Sequence, residues 1–265
     1  MKKLVLLVLS TSSLIGCMRG GSSDGEDSAP AAVDSEEAVS SESDLLIANV
    51  DGASPAGMAA PDAATVSATI TANVTARWAG NCATAVQNGA NITITYNDCS
   101  GPRGLVHVTG ELDLTISIGA NAAIDVHATS TDLEVNGATL DFTADGVFTT
   151  SGTMESLAVT ANGTGTGPFG NSIDHNGAYT VTWDPSTTCR SIDGSWSTDF
   201  SSPVATAERA NTVDLTRCGT SCPTGTLTHK FLGGASLSLT FDGTATAKWA
   251  LSTGASGSVL LGCTP

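Results

Sequence analysis

Hydrophobic and polar residues alternate along much of this chain, most regularly over residues 106–118. The apolar parity consists of Val106, Val108, Leu112, Leu114, Ile116 and Ile118. The opposite parity is polar and includes His107, Thr109, Glu111, Asp113, Thr115 and Ser117. Side chains of a β-strand point alternately to the two faces of its sheet, so this pattern predicts a long strand with one buried face.

The same two-residue period recurs in many other segments, which glycine, asparagine, aspartate and proline separate. These segments are residues 65–78, 91–99, 123–135, 138–150, 155–163, 178–184, 235–243 and 244–252. Dipeptides that favour hairpin turns accompany them: Asn136-Gly137, Asp145-Gly146, Ser151-Gly152 and Asp242-Gly243. No segment longer than two helical turns has a convincing 3.6-residue period. The sequence therefore predicts an all-β, antiparallel domain.

Short side chains dominate both parities, so each strand carries little apolar bulk. This favours a large antiparallel meander of about 10 to 14 strands, rolled as a barrel or a two-layer sheet. The few large side chains are expected in its core, and the alternative is an exposed aromatic strip that binds a ligand. These side chains are Trp78, Trp183, Trp196, Trp249, Phe142 and Phe241.

The composition changes abruptly before this domain. Residues 19–62 are mostly serine, alanine, glycine and acid, with no aromatic residue. A segment of this kind buries too little apolar surface to offset its ordering entropy, so it is expected to be a disordered, self-repelling tether. The expected boundaries are residues 17–62 for the tether and 63–265 for a single all-β domain.

The first residues have the layout of a signal peptide that is removed after export, residues 1–16. Lys2 and Lys3 precede a short apolar run, which is too short to span a bilayer stably. The sequence Leu14-Ile15-Gly16-Cys17 then resembles the lipobox of bacterial lipoproteins. The alternative is an ordinary secretory signal with a chance cysteine.

The resemblance implies that Cys17 is the lipidated residue and that the mature chain is anchored in the membrane of the cell envelope. Several acyl chains on one cysteine make a durable anchor, whereas a single chain binds only marginally. Residue 18 is Met, and lipoproteins retained at the inner membrane tend to carry Asp there. The resemblance therefore implies the outer membrane, on a face that the sequence does not identify.

The formal net charge is −16, and lysine and arginine are sparse throughout. Nucleic acid is therefore excluded as an expected partner. The membrane, reached through the N-terminal lipid, is the one expected partner. A protein or glycan partner cannot be named from these residues.

Six cysteines remain in the domain: Cys82, Cys99, Cys189, Cys218, Cys222 and Cys263. An even number in an exported chain indicates disulfides. Cys82 and Cys99 enclose one hairpin turn, which places them near each other. A faint internal repeat puts Cys189 and Cys218 in the same relation and leaves Cys222 for Cys263. An exchange to Cys189–Cys263 with Cys218–Cys222 stays open.

Candidate chemistry is sparse. Asp174-His175 is the most enzyme-like pair, in an expected loop, but the sequence offers no nucleophile for it. Gly165, Gly167 and Gly170 match a dinucleotide-binding pattern, yet a strand follows instead of a helix, so a hairpin loop is expected. Cys218 and Cys222 with His229 could hold zinc, but disulfides are the better interpretation. We therefore assign no catalytic residue, metal or cofactor.

The leading hypothesis is an outer-membrane lipoprotein with a non-enzymatic structural or binding β-domain. Three alternatives remain: a carrier of lipids or small molecules, a surface adhesin or polysaccharide binder, and a hydrolase that uses His175.

Overall fold

The computed structural model describes residues 23–53, 62–101, 107–200, 208–219, 221–231, 234–261 and 263. The expected signal peptide, residues 1–16, and the expected lipidation site, Cys17, lie outside these ranges. Within them, neither helix combines the length and the apolar character that crossing a bilayer demands.

Thirteen strands form one sheet in which every strand pairs antiparallel with its neighbours in sequence. Their bounds are β1 Ala83–Asn88, β2 Asn91–Ser100, β3 His107–Ile118, β4 Ile124–Val135, β5 Ala138–Ser151, β6 Met154–Thr166, β7 Ser172–Trp183, β8 Cys189–Phe200, β9 Glu208–Cys218, β10 Thr224–Phe231, β11 Ser236–Asp242, β12 Thr246–Leu251 and β13 Ser256–Leu260. The predicted all-β antiparallel meander is confirmed. The sheet is open, since no ladder joins β1 to β13 among the described residues.

Two helices precede the strands, α1 Ser23–Val50 and α2 Ala63–Arg77. Helix α1 contacts β4 to β8 and also β11 to β13, so the sheet curls around it. Helix α2 packs on β1, β2 and β3. The inner face of the sheet is therefore covered by α1 and the first strands by α2.

The core lies between the inner face of the sheet and the helices. In β3 the predicted apolar parity is buried and the polar parity faces solvent. All six of the large side chains expected in the core are at most 4 % exposed, so the prediction of a buried aromatic set is confirmed over that of an exposed strip. The rings of Trp78 and Tyr96 lie 4.7 Å apart.

The expected disordered tether differs from the structure, because α1 occupies residues 23–50 and is buried over most of its length. Alanine and glutamate favour helix, although Pro30 inside α1 removes one intrahelical hydrogen bond. The composition of this segment predicts disorder because it carries no information about the sheet. Contacts with the sheet are what order the segment. Residues 54–61 lie outside the described ranges.

The prediction of a strand over residues 65–78 is wrong, because these residues largely form α2. Asp62 caps the helix by accepting a hydrogen bond from the backbone N–H of Thr65 at 2.8 Å. The buried apolar residues are Val66, Ile70 and Val74. A spacing of four satisfies a two-residue period and also one face of a helix, so the pattern was ambiguous.

Three of the four predicted turns are confirmed, and one is wrong. Asn136-Gly137 joins β4 to β5, and both residues have positive φ, 52° and 84°. Ser151-Gly152 and Asp242-Gly243 also lie at hairpin ends. Asp145-Gly146 instead lies within β5, where Asp145 is paired with His127 of β4.

The three disulfides are Cys82–Cys99, Cys189–Cys218 and Cys222–Cys263. Each matches the preferred pairing, and the exchanged alternative does not occur. Cys189 and Cys218 are register partners on β8 and β9, as the hairpin argument requires. Cys222 reaches Cys263 beyond the last strand.

Candidate functional site: the polar interface between helix α1 and the sheet

The helix on the inner face of the sheet buries acidic side chains as well as apolar ones. Buried or nearly buried carboxyl groups of α1 and the residue that follows it are Asp34, Glu36, Glu37, Glu42, Asp44 and Asp51. The arginines that pair with them are Arg77, Arg190 and Arg217. The carboxyl groups therefore outnumber these arginines in a region of low dielectric constant.

Arg190 of β8 is the centre of this interface and is 2 % exposed. Its Nη2 donates to Asp44 Oδ2 at 2.6 Å and to Ser40 Oγ at 2.8 Å. Its Nε pairs with the other oxygen of Asp44. A forked, charge-assisted contact of this kind fixes both the position and the rotation of the helix.

Arg217 of β9 lies opposite Arg190 in the ladder. Two like charges on opposed strands repel each other unless anions separate them. Arg217 Nη1 lies 3.3 Å from Glu37 Oε2, and Asp44 pairs with Arg190. The helix thus supplies the carboxylates that make this arginine pair tolerable.

Burial shifts the protonation of the same groups. Burial raises the pKa of Glu36 from 4.5 to about 8, and the neighbouring Glu37 adds to the effect. Burial also raises the pKa of Asp44 from 3.8 to about 6, against the opposing pull of Arg190. Burial therefore disfavours the charged form of these two carboxyl groups. Each binds a proton more tightly in the fold than in the unfolded chain.

The residue proposed for a hydrolase, His175, lies in β7 and not in the expected loop. It is 1 % exposed, and its Nε2 is 3.3 Å from Glu42 Oε2. Tyr179 donates to the other oxygen of Glu42. Burial, reinforced by the charge of Glu42, raises the pKa of Tyr179 above its usual range. This triad holds the middle of α1, and no substrate reaches it while α1 is docked.

The glycine-rich segment is a hairpin turn between β6 and β7, as predicted, and it receives Asp34 of α1. Oδ1 of Asp34 accepts from the backbone N–H of Phe169 at 2.7 Å. Oδ2 accepts from Asn171 through its backbone N–H at 3.1 Å and its Nδ2 at 2.6 Å. A Cβ added at Gly167 would lie 2.3 Å from Asp34 Cγ, so glycine makes room for the carboxylate.

The C-terminal end of α1 is held by aromatic and basic side chains. Tyr96 Oη donates to Asn49 Oδ1 at 2.9 Å. Arg77 of α2 lies 3.0 Å from Asp51 Oδ2, and Trp183 Nε1 donates to Asp51 Oδ1 at 3.4 Å. The interface therefore extends along the helix from Asp34 to the residue after its end.

The outer face of the sheet carries rows of short polar side chains. A shallow depression of about 260 Å³ crosses β5, β6 and β7. Its lining includes Asp141, Thr143, Asn162, Thr164 and Asp174. Thr164 lies between Asp141 and Asp174 in the ladder. Hydroxyl, amide and carboxylate groups at this spacing can hydrogen-bond the hydroxyl groups of a sugar.

The other sequence candidates are not brought together. His107 and His127 are exposed and lie near Asp98 and Asp145, whereas His229 is buried. Cys218 and Cys222 belong to different disulfides, so the zinc arrangement considered for them does not form. Within the described ranges, no three or more histidine, cysteine or acidic residues converge to hold a metal.

Sequence reasoning missed the two buried arginines. Arg190 directly follows Cys189, and Arg217 directly precedes Cys218. Because those cysteines were expected to pair across strands, the two arginines could have been placed side by side. Their need for anions was a signal that pointed to the acidic segment.

A comparison of the chain with models of known families, with curated proteins and with solved structures finds no match in any of the three.

Proposed function

We propose that this protein is a lipoprotein of the bacterial outer membrane, anchored through Cys17, with a non-enzymatic structural or binding β-domain. The observation that carries the non-enzymatic part is the occupied inner face of the sheet. Helix α1 covers it through buried ion pairs, among them Arg190 with Asp44. Partners therefore meet the outer, polar face.

The leader supports the anchor and the location. Its basic residues, apolar run and Leu14-Ile15-Gly16-Cys17 box agree in order and spacing. The three disulfides suit an oxidising compartment outside the cytoplasm.

The interior argues against two alternatives. A carrier would need α1 to vacate the inner face before a ligand could enter. A hydrolase would need substrate at His175, whose imidazole is buried against Glu42.

The polysaccharide-binding alternative has one specific observation in its favour, the polar depression over β5, β6 and β7. It predicts that Asn162→Leu, which removes a hydrogen-bonding amide from the lining, abolishes retention on immobilised envelope polysaccharide. Ser156→Leu on the same strand, outside the lining, is the matched control. Equal retention of both variants and the wild type would reject this site.

The anchor and the location are tested by labelling cells with an alkyne analogue of a fatty acid and separating the two membranes by density. Wild-type protein is expected to carry the label and to sediment with the outer membrane. Cys17→Ser is expected to lose the label and to remain unprocessed. A labelled, correctly processed Cys17→Ser protein would overturn the proposal.

The non-enzymatic role is tested with a photo-crosslinking amino acid at Thr160 on the outer face of β6. The matched control carries it at Val159, which is 3 % exposed and faces the interior. Crosslinks to an envelope component from Thr160 alone support a binding surface on the outer face. Products from neither position in intact cells would count against a binding role.

A further inference from the structure

We propose that the β6–β7 turn, residues 167–171, contacts the lipid surface and sets the orientation of the β-domain on the membrane. The side chain that makes the contact is Phe169, which is 45 % exposed. This orientation rests on the proposed anchor at Cys17, because the turn faces the membrane only in a chain that is held there by its N-terminus.

The direction of helix α1 is fixed by its contacts along β7. Asp34 accepts hydrogen bonds from the turn that precedes β7. Glu42 accepts from Tyr179 within the strand, and Asp51, just after the helix, accepts from Trp183 at the end of the strand. Helix α1 therefore begins at the end of the sheet that carries the β6–β7 turn and finishes toward the opposite end.

The connection between the anchor and α1 is too short for the opposite end of the sheet to face the membrane. Cys17 stands six residues before Ser23, where α1 begins. Six residues span about 22 Å at most when fully extended. The 13 residues of β6 separate the two ends of the sheet by about 43 Å at about 3.3 Å per residue. The end of the sheet where α1 begins is therefore the end nearer to the lipid.

The distribution of charge favours contact through the turns over contact through the outer face of the sheet. The outer face exposes carboxylates such as Asp113, Asp141 and Asp145, and like charges repel an anionic lipid surface at short range. The described turns at the end where α1 begins carry no charged residue, and they are residues 136–137, 167–171, 234–235 and 252–255. In a chain of net charge −16, this end is the one that approaches anionic lipid without repulsion.

Phe169 supplies the apolar contact at this end. The exposed large apolar side chains of the described residues are Val86, Val147, Met154, Phe169 and Leu260. Val86 and Val147 lie within strands, and Met154 and Leu260 lie at the opposite end of the sheet. Phe169 is the aromatic member of the set, and phenylalanine is among the residues that become buried at the boundary between lipid headgroups and acyl chains.

The turn presents this ring in a fixed position. Asp34 of α1 accepts hydrogen bonds from the backbone N–H groups of Phe169 at 2.7 Å and of Asn171 at 3.1 Å. The turn therefore loses little conformational freedom when it meets the membrane. One ring binds lipid weakly by itself, but the anchor makes the contact intramolecular and so raises the effective concentration of lipid at the turn.

Quenching by brominated lipid tests the contact. The mature chain, residues 17–265, is attached through Cys17 to a maleimide lipid in vesicles of phosphatidylethanolamine and phosphatidylglycerol with brominated acyl chains. The other six cysteines form the three disulfides, so the lipid attaches at Cys17. The four native tryptophans are at most 4 % exposed and are shielded from the lipid. The fluorescence added by Phe169→Trp is expected to be mostly lost on attachment.

Met154→Trp is the matched control. Met154 is 44 % exposed and begins β6, whereas Phe169 follows the end of the same strand. The fluorescence that this variant adds should not change on attachment through Cys17. Equal quenching of the two variants, or no quenching of Phe169→Trp, would overturn the proposal.

Moving the attachment point provides an independent check. Thr153 is exposed in the β5–β6 turn, so a Cys17→Ser, Thr153→Cys protein joins the lipid at the opposite end of the sheet. Quenching should then move from Phe169→Trp to Met154→Trp. Quenching of Phe169→Trp from both attachment points would show that the short N-terminal connection does not set the orientation, and would reject the proposal.

The contact and the anchor can fail separately in these experiments. Because the lipid is attached chemically, a lack of quenching at residue 169 rejects the contact whether or not the cell lipidates Cys17. Absence of the fatty-acid label from the wild-type protein in cells rejects the anchor instead.

Discussion

Both helices of this protein bury apolar side chains, but only α1 also buries carboxyl groups. Helix α2 covers β1 to β3 with apolar side chains at a spacing of four, Val66, Ile70 and Val74, and its N-terminus is capped by Asp62. In addition to apolar residues such as Leu45 and Ile47, helix α1 buries carboxyl groups against arginine, histidine and tyrosine side chains of the sheet. Apolar burial needs no specific partner, whereas a buried charge does. Helix α1 should therefore depend on single residues and on pH, and α2 should not.

The largest effect is expected from Arg190→Met, which leaves Asp44 buried without its cation. Breaking a buried ion pair from one side costs about 3–5 kcal/mol of unfolding free energy. Chemical denaturation followed by tryptophan fluorescence measures it. Lys248→Met is the control, because Lys248 is 73 % exposed beside Asp242 and should show no measurable change. Equal effects of the two variants would show that the buried ion pair of Arg190 contributes no more to stability than an exposed ion pair.

The next effect is expected from Ile70→Ala in α2. Ile70 is fully buried, and removing three carbons from a packed core costs about 3 kcal/mol. The same loss should be measured at pH 5 and at pH 8, since no charge is involved. A loss that differs between the two pH values would show that α2 and α1 are coupled.

The pH dependence of the wild type comes third. The pKa of Glu36 is raised from 4.5 in the unfolded chain to about 8 in the fold, so its contribution is present at acidic pH and is lost as the pH rises toward 8. The loss should be on the order of 2 kcal/mol between pH 6 and pH 8. Denaturation midpoints across that range measure it, and a flat profile would contradict the assignment.

Below about pH 4 the trend should reverse. Hydrogen bonds from Thr65 and Thr244 lower the pKa values of Asp62 and Asp242 below the usual 3.8. The stability that these two carboxylates contribute is lost as the pH falls through their lowered pKa values. The most stable pH is therefore expected on the acidic side of neutrality.

The smallest effect is expected from Tyr96→Phe, which removes the neutral hydrogen bond to Asn49 of α1. The loss should be about 1 kcal/mol and independent of pH up to 8. A loss as large as that of Arg190→Met would show that hydrogen bonding, and not charge pairing, holds α1.

Most of the sheet was predictable because its signal is local. The two-residue period of residues 106–118 led directly to β3, and Asn136-Gly137 led to the β4–β5 hairpin. Asp145-Gly146 carried the same local signal, yet it lies inside β5. The pairing of Asp145 with β4 and β6 on both sides outweighs its turn preference.

The candidate site was much less predictable. The sequence singled out His175 but not Arg190 or Arg217. A sequence does not distinguish a buried arginine from an exposed one until the partners of its side chain are known. Residues 23–50 looked disordered because their own side chains cannot form a core. Several of the partners that order them lie more than a hundred residues away in the chain, as with Ser40 and Arg190.

The sequence by itself thus determined the features that depend on near neighbours: the strands of the meander, three of its turns and the pairing of Cys82 with Cys99 across a hairpin. The tertiary structure alone decided that the acidic segment is a helix inside the sheet, that residues 65–78 are helical, and that His175 is buried beside Glu42. The reason is physical. A period or a turn acts over a few residues, whereas a buried charge is tolerated only where the fold brings its counterion to it.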